Sequence, residues 1–275
     1  MTPEELYLDL LKKCLTRSAF GEGYKALCPA RGTIKQLLFE PARRLLASRR
    51  LELVRREEFD PQARFEGVDW PLEAETMIGL RRMQNLQDCI VDVLRSGVPG
   101  DLVETGVWRG GATIFMRGVL KAYGERERIV WVADSFEGLP RPTPQVYPAD
   151  ADDKFYLASR VLAVSLEEVQ SNFARYGLLD DQVRFLKGWF KDTLPTAPIK
   201  RLAVLRLDGD MYESTMIALR SLYPKLSLGG YVIIDDYEPR LPGCVKAVSD
   251  FRAEQGITEK MELTGHAGAF WQRLR

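Results

Sequence analysis

The stretch DLVETGVWRGGATIFMRGVLKA, residues 101–122, carries a strand, a glycine turn and a helix in direct succession. The apolar run 101–105 feeds a turn that reads E-x-G-x-x-x-G-G from Glu104 to Gly111, and 112–122 continues as a helix. Glycines at a strand-to-helix turn let a ligand come close to the backbone and leave helix N-terminal N–H groups open. Dinucleotide sites carry G-x-G-x-x-G there and seat a pyrophosphate on the helix end. Here Glu104 stands at the strand end, where it would repel a pyrophosphate. It suits a ligand with positive groups, such as the ammonium and sulfonium of S-adenosylmethionine.

Outward from this turn the pattern repeats. Apolar runs at 129–133, 183–186, 202–207 and 231–234 alternate with helical segments, which predicts a mostly parallel sheet covered on both faces. A helix over 73–94 leads to the break Gly97-Val98-Pro99-Gly100. At the far end, 261–264 and 269–273 flank a short turn and predict an antiparallel hairpin. The loop 139–157 carries four prolines with Asp150, Asp152 and Asp153, and is either a cover over a site or a surface excursion.

Acids mark the strand tips. The run 129–133 ends in Asp134-Ser135-Phe136-Glu137-Gly138, which places a carboxylate where it can accept hydrogen bonds from ribose hydroxyls or else cap the next helix. The run 202–207 ends in Asp208-Gly209-Asp210, and 231–234 ends in Asp235-Asp236. In a parallel sheet these tips share the C-terminal edge. Carboxylates gathered there repel one another unless a cation lies between them, and an all-oxygen set suits Mg2+ or Ca2+. Helix capping would use one acid per helix and leave the others unexplained.

Composition narrows the field further. Lys and Arg number 39 and Asp and Glu 39, so nothing in the net charge calls for nucleic acid or a membrane surface. The single histidine, His266, excludes a His-rich zinc site; it is either a second base candidate or a residue of the hairpin turn. Cys14, Cys28, Cys89 and Cys244 are widely spaced and read as reduced thiols. With no basic, apolar leader and no spanning apolar run, a cytoplasmic protein is expected. Residues 1–70 read as a helical N-terminal extension and 71–275 as the main domain. The extension contains an amphipathic helix at 4–15 and a basic helical stretch at 41–56. Between residues 31 and 56, eight basic residues face two acids. That stretch is an anionic-partner surface or a subunit-contact arm, the latter with Leu45, Leu46, Leu51 and Val54 on its buried side, and a homo-oligomer is expected.

Several runs together resemble the macrocin O-methyltransferase family: TMIGLRRMQNLQDC at 76–89, VPGDLVETGVWRGGATIFMRG at 98–118, VWVADSFEGLP at 130–140, FLKGWFKDTLP at 185–195, LRLDGDMYEST at 205–215 and GGYVIIDDY at 229–237. The resemblance covers roughly residues 70 to 240, with a weaker echo at 7–14. It implies a Rossmann-like class I methyltransferase fold, with a seven-stranded sheet, that methylates sugar hydroxyls of natural products using S-adenosylmethionine and Mg2+. By resemblance, Thr76, Met77, Glu104, Thr105, Gly106, Val107, Trp108, Asp134, Ser135, Phe136, Glu137, Gly138, Gly188 and Trp189 surround the methyl donor. Asp208, Asp235 and Asp236 hold the metal, and Asp208 also accepts the proton.

On this reading the acceptor is a small glycosylated molecule, and neither nucleic acid nor membrane is a partner. Catechol-type relatives carry a lysine base shortly after the first metal aspartate. The turn Asp208-Gly209-Asp210-Met211 has none, which favours a carboxylate base and a sugar acceptor over a phenolic one. A nicotinamide-dependent oxidoreductase fits poorly, because the glycine spacing differs and the clustered acids go unused.

Overall fold

The computed structural model describes residues 1–21, 24–27, 34–51, 53–56 and 58–275. Cys28, Arg31 and Glu52 lie outside them. The chain runs α1 (Pro3–Leu15), β1 (Tyr24–Ala26), α2 (Ile34–Ser48), β2 (Val54–Arg56), α3 (Pro61–Glu66), α4 (Gly79–Arg95), β3 (Asp101–Thr105) and α5 (Gly111–Ala122). It continues with β4 (Val130–Asp134), α6 (Ser159–Leu162), α7 (Leu166–Arg175), β5 (Val183–Lys187), α8 (Phe190–Thr193), β6 (Leu202–Leu207) and α9 (Tyr212–Leu222). The last elements are β7 (Leu226–Ile234), α10 (Pro242–Glu254), β8 (Glu262–Thr264) and β9 (Gly268–Gln272).

The main sheet has seven strands in the order β5-β4-β3-β6-β7-β9-β8. The first five are parallel, β9 runs antiparallel to β7, and β8 antiparallel to β9. From β3 the chain winds outward through β4 and β5, then returns to β6 on the other side. The tips of β3 and β6 therefore flank the reversal point where open α/β sheets bind ligands.

Strand alternation divides the core between the two faces. Leu102, Val130, Val132 and Val204 pack with Leu8, Leu11 and Leu15 of α1, Met83 and Leu86 of α4, and Ile114 and Phe115 of α5. Val103, Trp131, Ala133, Leu205 and Leu207 face the other way, onto Met216 and Leu219 of α9 and Val248 and Phe251 of α10. The helix expected at 4–15 is thus α1, closed by a capping box in which Thr2 Oγ1 accepts from the Glu5 N–H while Glu5 Oε2 accepts from the Thr2 N–H.

Three expectations differ from the structure. The helix expected at 73–94 begins only at Gly79, because 73–78 spends its backbone on other segments. The N–H groups of Glu75 and Thr76 donate to Leu15 O (3.0 and 3.3 Å), and Glu75 O accepts from Gly111 (3.0 Å). The basic helix expected at 41–56 is displaced: α2 ends at Ser48, and Val54–Arg56 pairs with Tyr24–Ala26 as a separate two-stranded ribbon. The apolar side assigned to that stretch is not buried in the chain, since Leu45, Leu51 and Val54 are exposed and Leu46 half-buried. Finally, β7 starts at Leu226, five residues ahead of the expected run. Cys14, Cys89 and Cys244 are free thiols, and among the described residues no helix is long and apolar enough to cross a membrane.

Candidate active site

Gly106, at the tip of β3, has φ +84° and lies against the tip of β6 so closely that a Cβ would overlap the Asp208 carbonyl oxygen. Two strand-tip bonds seat it: its N–H donates to Ala133 O, and the Asp208 N–H donates to Thr105 O, both at 2.9 Å. The backbone is also bent at non-glycine positions. Trp108, Phe136 and Asp210, which follow β3, β4 and β6, have φ of +48°, +59° and +58°. Such conformations persist only where the surroundings enforce them, and they gather at functional sites.

Beneath these turns lies a buried charge network centred on Arg206. This residue interrupts the apolar strand β6 and pairs in register with Glu104 of β3. Its Nη1 donates to Glu104 Oε1 and, at 3.0 Å, to Asp208 Oδ2, while its Nη2 lies 2.5 Å from Asp235 Oδ1. The other oxygen of Asp235, Oδ2, accepts from Arg82 Nη1 at 2.5 Å. A further backbone bond joins the tips: the Asp210 N–H donates to Asp236 Oδ2 at 2.8 Å.

Glu104, Asp208, Asp210 and Asp236 hold their protons above the ordinary carboxylate range. Burial pushes Glu104 up to about 8, against the pull of Arg206. Burial and then neighbouring Asp235 raise Asp208 to about 6. Burial and then Asp208 raise Asp210 to about 8, and burial with Asp210 raises Asp236 well above its usual value. Arg206 moves the opposite way to what burial dictates, because Asp235, Glu104 and Asp208 stabilise its charge.

One oxygen from each of Asp208, Asp235 and Asp236 can lie within 4.8 Å of the others. Counting Glu104 and Asp210, five carboxylates meet two guanidiniums, so carboxylate charge stays in excess when all are ionised. The all-oxygen donor set and this excess fit a hard divalent cation. The fit is qualified at Asp235, both of whose oxygens already bind arginine.

These acids open onto a cavity of about 630 Å3, a size usual for small-molecule sites. Of the residues assigned to the methyl donor, Thr76, Met77, Glu104, Gly106, Val107, Trp108, Asp134, Ser135, Gly138 and Trp189 line it, as do Asp208, Asp235 and Asp236. The other four assigned residues, Thr105, Phe136, Glu137 and Gly188, do not line it. Thr105 is buried in β3, and the Phe136 ring packs 6.5 Å from that of Phe185. The Glu137 N–H donates to Ser135 Oγ at 3.0 Å, and Gly188 turns the chain with φ +140°.

The capping reading of Asp134 fails, because no helix begins directly after β4. Asp134 lines the cavity while its oxygens accept from the N–H groups of Val107 (2.7 Å) and Phe136 (2.8 Å). Glu104 Oε2 is buried with no hydrogen-bond partner, a polar atom left for a donor such as an ammonium. His266 sits exposed in the turn between β8 and β9 and also reaches the cavity lining.

Sequence reasoning missed the wall built by Val68, Asp69 and Trp70, and both arginines of the acid cluster. The signal for Arg206 was available: a lone charge within LAVLRL has to find buried partners. The loop expected at 139–157 does bound the cavity, with Leu139, Pro140, Arg141, Thr143 and Phe155. Its Asp150 is buried and accepts from the N–H groups of Tyr212 (2.6 Å) and Glu213 (3.0 Å), so it caps α9 from a distant part of the chain.

A doubly wound seven-stranded sheet with an antiparallel terminal hairpin, glycine-turned at β3 and acid-tipped at β4, defines a class I methyltransferase. The solved structure of the O-methyltransferase NovP superposes with a TM-score of 0.84 at 47% identity, covering 99% of this chain and 100% of that one. Residues 4–273 match the family described as Macrocin-O-methyltransferase (TylF), and the chain belongs to that family and is an O-methyltransferase.

Among relatives, demethyldecarbamoylnovobiocin O-methyltransferase of Streptomyces niveus is 50% identical over 98% of this chain and 94% of its own. Mycinamicin III 3''-O-methyltransferase of Micromonospora griseorubida is 47% identical over 99% and 98%. The match therefore extends through the N-terminal 70 residues, beyond the segment in which the resemblance was strongest.

Proposed function

We propose that the enzyme transfers the methyl group of S-adenosylmethionine to a sugar hydroxyl of a natural product, and that it requires Mg2+. The observation that carries this is convergence: the glycine turn of β3, Asp134 and the acid cluster all line one cavity. The acceptor class follows the similar enzymes. One, from Streptomyces olivaceus, is named as a 4'-O-methyltransferase of a rhamnosyl tetracenomycin and is 49% identical over 98% of this chain and 92% of its own.

When bound, S-adenosylmethionine would supply an electrophilic methyl, and a divalent cation would make the acceptor hydroxyl more acidic. Asp208, Asp235 and Asp236 would hold the cation. On the donor side, Glu104 Oε2 would meet the ammonium, Asp134 the ribose, and the walls from Thr76 with Met77 and from Trp189 would enclose the rest. Asp208 takes the proton from the acceptor oxygen. Its Oδ2 accepts from Arg206 Nη1, which fixes the orientation of the carboxylate. Most of the rate gain then comes from holding the two reactants in line.

Calorimetry with S-adenosylhomocysteine, with and without Mg2+, tests the donor site; no binding in either condition would refute it. Methyl transfer from a labelled donor to a panel of glycosides and phenols tests the acceptor. Transfer to glycosides that stops on chelation is expected, whereas transfer to phenols alone would overturn the acceptor class.

A further inference from the structure

One side chain joins the acid cluster to two other walls of the cavity. Arg82 lies near the start of α4 with its side chain 11% exposed. Its Nε donates to Ile78 O at 2.8 Å and its Nη2 to Gly67 O at 3.2 Å. Its Nη1 donates to Asp235 Oδ2 at 2.5 Å and reaches Asp235 O at 3.4 Å. Each nitrogen thus serves a different segment. Ile78 follows Thr76 and Met77 on one wall, Gly67 precedes Val68 and Trp70 on another, and Asp235 belongs to the acids.

The first two segments are themselves locked together. Gly67 (φ +69°) and Gly79 (φ +73°) approach so closely that a Cβ on either would overlap the other's segment. Arg81 adds a bidentate grip on Glu66, at 2.8 and 2.6 Å. A side-chain link from this unit to the tip of β7 runs through Arg82. Arg206 would still pair Asp235 Oδ1 without it. Loss of Arg82 therefore leaves the carboxylate compensated in charge but free to turn.

We propose that Arg82 is a positioning residue for methyl transfer, which holds Asp235 in register with the 76–78 and 67–70 walls. This rests on the function proposed above. Displacement of a reacting group by about 1 Å costs on the order of 10²-fold in rate, and a planar guanidinium with donors on three nitrogens can serve three segments at once where an ammonium cannot.

The test uses the full chain with Arg82→Ala and Arg82→Lys. Turnover is measured on whichever acceptor the parent enzyme methylates, S-adenosylhomocysteine affinity by calorimetry, and hydrogen exchange across the backbone. The expected result is a kcat loss of about 10²-fold in both variants, with KM for S-adenosylmethionine and S-adenosylhomocysteine affinity within about threefold of the parent. Exchange should quicken at 235–238, after the tip of β7, and stay unchanged elsewhere, and added guanidinium ion should restore part of the activity of Arg82→Ala.

A kcat within about threefold of the parent overturns the proposal. So does a loss of cofactor affinity with exchange raised throughout, the signature of a merely structural arginine. If Arg82→Ala does not fold, Arg82→Gln carries the same comparison. If the parent methylates no acceptor, the acceptor reading has failed, and local exchange at 235–238 still decides for or against Arg82.

Discussion

At the scale of single residues the site depends on two positions of opposite kind. Asp208 is chemical: Asp208→Asn keeps the shape and the bond to Arg206 but cannot accept a proton. We expect turnover to fall by about 10²–10⁴-fold, with S-adenosylhomocysteine binding retained by calorimetry; methylation near the parent rate would remove Asp208 as the base. Gly106 is steric. A methyl group there meets the Asp208 carbonyl at the closest approach of β3 and β6, in a backbone conformation that other residues rarely adopt. Gly106→Ala should cost about 4 kcal/mol or more, read as a drop in the denaturation midpoint. The acids of this neighbourhood were legible in sequence, because carboxylates at successive strand tips have to meet on one edge. Their counter-charges were not. Arg206 was visible as an anomaly in an apolar strand, but its partners depend on β3–β6 register, and Arg82 looks like any polar residue of an amphipathic helix.

At the scale of elements, strands were read to within a residue or two at most ends, since alternation and glycine breaks are local signals. The start of α4 was not, because 73–78 has residues compatible with a helix but is drawn out of it by bonds to α1 and to the turn before α5. Tertiary partners outweighed local propensity, which amounts to only tenths of a kcal/mol per residue. The loop before α6 shows the same limit. Its acids were noticed, but their task was hidden: Asp150 caps α9, which no side-chain cap of its own serves at Met211. Because the carboxylate ties the cavity cover to the helix that follows Asp210, Asp150→Ala should act twice. It should lower stability by about 1–2 kcal/mol, as loss of an N-cap does, and it should raise KM for the acceptor more than it lowers kcat. Unfolding curves and steady-state kinetics check the two parts separately, and an unchanged KM would leave Asp150 as a cap alone.

For the molecule as a whole, the even charge balance conceals a strongly uneven distribution, with acids concentrated on one sheet edge, and this has a consequence for stability. Asp208, Asp210 and Glu104 have folded pKa values of about 6, 8 and 8, against ordinary values of 3.8, 3.8 and 4.5, and Asp236 is raised as well. Between the unfolded and folded values, the native chain binds more protons than the unfolded one, so stability falls as pH rises through that window. Carboxylates stabilised in their charged form, such as Asp180 beside Arg117 and Glu66 beside Arg81, act with the opposite sign, but their contribution is already complete above the ordinary carboxylate range. The metal-free protein should therefore melt at a lower temperature at about pH 8 than at about pH 5.5. A divalent cation that binds the acids competes with protons for them, so its stabilisation should be larger at the higher pH. Thermal unfolding with and without Mg2+ at both pH values measures this. A Mg2+ effect that grows with pH, and that disappears in Asp236→Asn, would place the cation among these acids. An effect equal at both pH values would mean that Mg2+ acts elsewhere on the molecule, and that protons alone relieve the crowding at the sheet edge.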